Sequence, residues 1–232
     1  MSLPGNGFIA LWNDIDPLRS DYDTWHTTEH VPERLSVPGF LLAYRYVLTA
    51  GALPKYFTLY ALADIGTLNT DDYRRLIREP TSWTRGMRRD FRNVGRLVCQ
   101  TIITHGAGVG GFVAVCVVRS IDRPFVASLC ESLVDLDGIS ATHFGEVDHS
   151  AEPLGLDMPQ SSFSHGACGI LVIEGYGAEA LRSHCEALEL DRLDPLFEGW
   201  SLYKLVYELR KDDLRRLESQ NDGAPLTGHQ RR

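Results

Sequence analysis

The chain has 232 residues, of which 44% are hydrophobic and 23% charged, the balance of an ordinary globular protein with room for one large domain or two small ones. Its net charge of -8 argues against a broad nucleic-acid surface, which needs clustered Lys and Arg. No apolar run approaches the roughly 20 residues that span a bilayer, and the opening Met1-Ser2-Leu3-Pro4-Gly5 lacks the basic and apolar stretches of a secretory signal.

The elements follow in chain order. Gly7 to Trp12 reads as a strand. Pro17 opens a helical stretch that runs to about Val31, with Asp16 as its cap. Pro32 removes a donor, so the helix should end or kink there. Phe40 to Leu48 and Lys55 to Ala63 read as strands joined by a turn at Gly51–Pro54. Asp71 to Ile77 and Trp83 to Phe91 read as helices broken near Pro80. Val94 to Ile103 is a fourth strand.

The order then repeats. Gly111 to Val118 is a strand, Pro124 to Val134 a helix and Ile139 to Val147 a strand. A Pro, Ser and Gly-rich loop covers about His149 to Ser164. Ala167 to Ile173 is a strand, Ala178 to Leu188 a helix and Trp200 to Leu209 the last strand. The glycine-rich run 106–111 reads as a linker; it lacks the G-K-[ST] ending and the G-x-G-x-x-G spacing of nucleotide sites. A charged helix from Lys211 opens a tail whose last dozen residues are polar and glycine-rich, and disorder is expected there.

Each half thus has the β-α-β-β-α-β order of a ferredoxin-like unit. The strands are apolar on both faces: Ile9 and Leu11 on one side of the first, Phe8, Ala10 and Trp12 on the other. Such strands require sheet-on-sheet packing or closure. The expected fold is α+β, two tandem ferredoxin-like halves forming a pseudo-dimeric α+β barrel. Residues 1–105 would be one half, 106–211 a diverged second half, and 212–232 a charged tail.

Residues 25–40, W-H-T-T-E-H-V-P-E-R-L-S-V-P-G-F, gather two histidines, two carboxylates, an arginine and a tryptophan at one helix–strand junction. With the following A-Y-R-Y, the run resembles the dimeric α+β barrel superfamily, especially its EthD-like branch. His30, Pro32, Pro38, Gly39 and Phe40 carry the likeness, and residues 56–64 and 80–83 add to it. It covers roughly 6–104; the second half lacks the His-x-Pro segment and has Asp137-Gly138 where the first has Pro38-Gly39. The resemblance implies a small-molecule protein without choosing among isomerases, cyclases, lyases, monooxygenases, haem enzymes and others.

His30 is the foremost candidate, as a general acid or base on a small carbonyl or phenolic substrate; a helix-terminating cap is the bland alternative. Leu18, Tyr22, Trp25, Glu29 and Pro32 fall on one helical stripe, apolar but for Glu29. Glu29 reads either as a carboxylate paired by Arg34, Arg45 or a backbone donor, or as a second acid or base beside His30. His26 and His30 could share a face, but H-T-T-E-H is not a metal motif, so no metal is expected and His26 should face solvent. Trp12, Tyr44, Arg45, Tyr56 and Arg96 are candidate substrate-binding residues, the aromatics reading equally as core. A buried-face arginine needs an acidic partner or an anionic ligand. His143 and His165 lie near strand ends in the second half, His143 with a side chain that could face the barrel interior.

The expected function is a cofactor-independent lyase, cyclase or isomerase moving a proton on an aromatic or polyketide-like substrate. A cofactor-free monooxygenase and a non-catalytic ligand-binding or assembly protein are the alternatives. A small-molecule ligand and a possible homo-dimer are expected, with no cofactor, nucleic acid or membrane as partner. Five cysteines, odd in number and without C-x-x-C spacing, suggest reduced thiols and a cytoplasmic setting.

Overall fold

The computed structural model describes residues 3–151, 166–188, 194–195 and 199–220. Eight strands close one antiparallel barrel in the order β1-β3-β2-β8-β5-β7-β6-β4. They are β1 Gly7–Ile15, β2 Phe40–Ala50, β3 Tyr56–Leu62, β4 Phe91–Gly106, β5 Phe112–Val118, β6 Ile139–Val147, β7 Gly169–Gly175 and β8 Ser201–Arg210. Within this ring β4-β1-β3-β2 and β8-β5-β7-β6 are the same ferredoxin-like order, joined where β2 pairs with β8 and β4 with β6. The α+β barrel of two tandem ferredoxin-like halves therefore closes within one chain. The loop expected near 149–164 lies mostly outside the described residues, as do His165 and the last dozen residues.

Alternation along the strands separates two environments. Phe8, Ala10, Trp12, Tyr44, Tyr46, Phe57, Val115, Val172 and Tyr203 face inward and fill the lumen. Trp12 stacks on Phe57 at 4.9 Å, and Phe57 lies 5.3 Å from Tyr203 and 5.6 Å from Tyr46. The outward face carries the helices. In the first half Ile9, Phe40, Ala43 and Tyr60 pack under Val31 and Leu35 of α2 (Val31–Ser36) and Tyr73 and Ile77 of α3 (Asp71–Arg78). In the second, α5 (Arg123–Leu133) and α6 (Ala178–Glu186) cover β5–β8.

The turn into β2 uses Gly39 at φ +95, with Thr67 Oγ1 only 2.4 Å from where a Cβ would stand. Only glycine combines that angle with that approach.

The first helical stretch differs from the sequence expectation. Asp16 accepts from the Leu18 N–H in a turn, and Leu18 is 89% exposed, off the stripe assigned to it. The helix begins at Tyr22 as α1 (Tyr22–Trp25), widens into a π-helical turn over His26–His30, and continues through Pro32 as α2. Proline did not end it. In a regular α-helix its ring would collide with the carbonyl four residues back. Here the Val31 N–H reaches five residues back to the His26 carbonyl, and the wider turn accommodates the proline.

Candidate active site

The π-helical turn sets the geometry of the motif. Trp25 and His30 are five residues apart, about 140° around a regular α-helix, yet their rings lie against one another, tilted, with centroids 4.5 Å apart. His26 and His30 lie 5.4 Å apart. His26 is 3% exposed, a correction to its expected solvent position, and its Nε2 is 3.3 Å from Thr58 Oγ1.

Among the described residues, Glu29 is held neither by an arginine nor by the backbone. Its Oε1 accepts from Thr81 Oγ1 at 2.6 Å and Thr84 Oγ1 at 2.9 Å. Thr81 also caps α4 (Ser82–Asp90) by accepting from the Thr84 N–H, so the carboxylate sits at a helix N-terminus, where negative charge is favoured. Thr84 Oγ1 in turn accepts the Trp25 Nε1–H at 3.1 Å. A hydrogen-bonded chain thus runs from Glu29 through Thr84 to the indole that lies against His30.

A cavity of about 50 Å³ lies between the outward face of β1, β3 and β4 and the covering helices, with His26, His30, Arg34, Tyr60, Arg88 and Arg96 in its wall. Each of these six keeps a buried polar atom without a hydrogen-bond partner: Nδ1 of both histidines, Arg34 Nη1, Tyr60 Oη, Arg88 Nη2 and Arg96 Nε. Buried polar groups are nearly always partnered, so six orphans around one small cavity are exceptional. Among the described residues, none of the three arginines has an ion-pair partner within 4.0 Å.

Burial and nearby positive charge both act on the histidines. Burial, then the positive charge of Arg34 and the neighbouring His26, Arg88 and Arg45, drives His30 well below its ordinary 6.5. Burial, with Arg45 and Arg34, does the same to His26. Both imidazoles are neutral near pH 7, and His30 is a base facing a cationic wall. A larger depression of about 420 Å³ adjoins on the outside, and Tyr73, Ile77 and Arg96 border both spaces.

The other candidates divide. Arg45 is buried on the helix-facing side but pairs with Asp23 at 2.6 Å and lies 4.9 Å above the rings of both Tyr22 and Tyr56. Arg45 and Tyr56 are therefore beside the cavity and outside its wall, and Arg45 has its acidic partner. Trp12 and Tyr44 face the lumen, across the sheet from His30. His143 also faces the lumen, its Nε2 3.0 Å from Glu174 Oε1. Arg96 alone of the five binding candidates shares the cavity with His30. Nothing in the sequence singles out Arg88, and Arg34 reads there as one of three possible partners of Glu29, beside Arg45 and a backbone donor. The spacing of four between His30 and Arg34 was the available signal. No group of three His, Cys, Asp or Glu that could hold a metal occurs among the described residues.

No family model matches the sequence, and no curated protein matches it. Solved structures do. An anthrone oxidase-like protein aligns with TM-score 0.59 at 9% identity, over 97% of each chain. A proposed monooxygenase of Fusobacterium nucleatum subsp. nucleatum aligns at 0.52 and 8% identity, over 90% of this chain and 96% of its own. A haem-binding protein of Thermus thermophilus aligns at 0.51 and 11% identity, over 94% and 96%. At such identities the likeness shows the fold alone, an eight-stranded α+β barrel, and leaves the chemistry to the site.

Proposed function

We propose that this chain is a small-molecule enzyme in which His30 moves a proton on an oxygenated aromatic or polyketide-like substrate. The observation that carries this reading is a neutral, partly buried imidazole sharing one small cavity with three arginines that have no ion-pair partner among the described residues. A neutral imidazole takes a proton from an acidic C–H or O–H. The electron pair stays on the substrate as an enolate or phenolate, and the cationic wall stabilises it. Return of the proton at another atom completes an isomerase- or cyclase-type reaction. Arg96, Arg34 and Arg88 are the oxyanion stabilisers, and Glu29 is a positioning residue, acting through Thr84 and Trp25.

The motif residues His30, Pro32, Pro38, Gly39 and Phe40 support placing the chain in the EthD-like branch. Five unpaired cysteines support a reducing compartment such as the cytoplasm. Haem, the ligand named for the Thermus thermophilus neighbour, does not fit this site: about 50 Å³ cannot take a porphyrin. The names of two neighbours favour a second reading, in which the same anion is oxidised by dioxygen. The two readings share the first step and part on oxygen uptake.

The test is hydrogen–deuterium exchange at carbon, followed by NMR in D2O, over a panel of phenols and β-keto acids, with an oxygen electrode in parallel. The native chain should exchange at least one panel member, and His30→Gln should slow that exchange by about 100-fold or more. Equal exchange by both proteins, or exchange of no panel member, would overturn the reading. Oxygen consumption dependent on His30 would select the monooxygenase.

A further inference from the structure

We propose that the substrate is a carboxylic acid inserted carboxylate first, its head group in the inner cavity against Arg34, Arg88 and Arg96 and its body in the outer depression. The proposal rests on the reading of His30 above and names the class of molecule that the site takes.

Size divides the ligand. The inner space, about 50 Å³, is well below the roughly 300 Å³ at which small-molecule sites begin, so it takes a head group and not the body of a ligand. The outer depression, about 420 Å³, lies within the range of small-molecule sites. It is bordered by Ile65, Leu68, Tyr73 and Ile77, together with Asn69 and Ser150, a wall suited to an oxygenated ring and not to a bare hydrocarbon.

Charge orients it. The chain carries -8 overall, but this route has the opposite sign. Among the described residues, Arg74, Arg78 and Arg96 border the outer space against the single carboxylate of Asp148, and the inner wall has three arginines and no carboxylate. Arg34 is 7% exposed with Nη1 unpartnered. Burying a guanidinium this way is unfavourable unless an anion meets it, and a carboxylate matches its planar donors. The neutral imidazoles compete with no anion for that wall, and the Tyr60 hydroxyl adds a donor. The reacting atom next to His30 is then on, or adjacent to, the carbon that bears the carboxylate.

Benzoate and its neutral isostere benzamide test this by isothermal titration calorimetry on the full chain. Benzoate should bind at least tenfold more tightly than benzamide, and nitrate should compete with it. Arg34→Gln and Arg96→Gln should each weaken benzoate at least tenfold and leave benzamide unchanged. Thermal unfolding identifies a variant that fails to fold, and Arg96, at the border of the two spaces, supplies the test if Arg34→Gln does. Equal affinity for the two probes, no binding of either, or benzoate binding indifferent to Arg96 would overturn the proposal. His30→Gln separates the two readings. Arginine-dependent benzoate binding without His30-dependent exchange sinks the enzyme alone. His30-dependent exchange with benzoate and benzamide bound equally sinks the carboxylate alone.

Discussion

The same burial that tunes His30 makes its protonation a matter of stability. His26 and His30 have pKa values well below 6.5 in the folded chain, chiefly through burial, and return to that ordinary value on unfolding. The unfolded chain therefore binds more protons, and stability rises with pH until about 6.5 and is flat above it. As pH falls below 6.5, stability is lost until the folded-state values are reached. At pH 5 the loss is about 2 kcal/mol for each histidine still neutral in the fold. Carboxylates also titrate in this range, so the comparison must be with a variant. Urea unfolding at pH 7.5 and pH 5 should show His30→Gln losing about 2 kcal/mol less than the native chain between the two. An identical loss in both would mean that His30 is not held neutral by its surroundings.

At the level of elements, the decisive feature is the π-helical turn, and it marks where the sequence stops being readable. Each of the eight strands overlaps its expected segment, because two-sided apolar runs bounded by glycine and proline allow little else. The helices α3, α5 and α6 were equally plain. Pro32 reads in the sequence as an end or a kink of the helix; the helix instead widens and continues, with Val31 and Leu35 packed on the sheet. In the same way His30 was visible as a candidate and its cavity was not. Arg34 and Arg88 come to it from two helices whose relative position no local pattern encodes, while Trp12 and Tyr44 could not be told from site walls until alternation was tied to a lumen. Pro32→Ala tests what the turn does. Alanine restores the donor and removes the ring, so a regular helix becomes accessible and the melting temperature should hold or rise. The ring of His30 would then leave Trp25, and His30-dependent exchange should fall by about tenfold as the base loses its orientation. Unchanged exchange would show that the turn is only an accommodation of proline.

On the scale of the molecule, closure is what makes the tandem arrangement necessary. The lumen is filled from both halves, and β2 and β4 each find their second neighbour across the seam, in β8 and β6. We propose that residues 1–105 are a folding unit whose seam would be exposed if it stood alone. Phe8, Trp12, Tyr46 and Phe57 would then face water on an open sheet with two unpaired edges, a surface that drives association. A second copy offers the matching edges: β2 of one can take the place of β6 against β4 of the other, since the two halves share one strand order. The Lys211 ammonium, which donates to the Ser36 carbonyl at 3.0 Å and so ties the end of α2 to α7 (Lys211–Gln220), would be lost with the second half. A polypeptide of residues 1–105 should therefore run as a dimer by light scattering, with strand content preserved by circular dichroism and a lower melting temperature than the full chain. A folded monomer of that length would show that the half covers its own lumen face, and the barrel would then be a docking of two finished domains rather than one core shared between them.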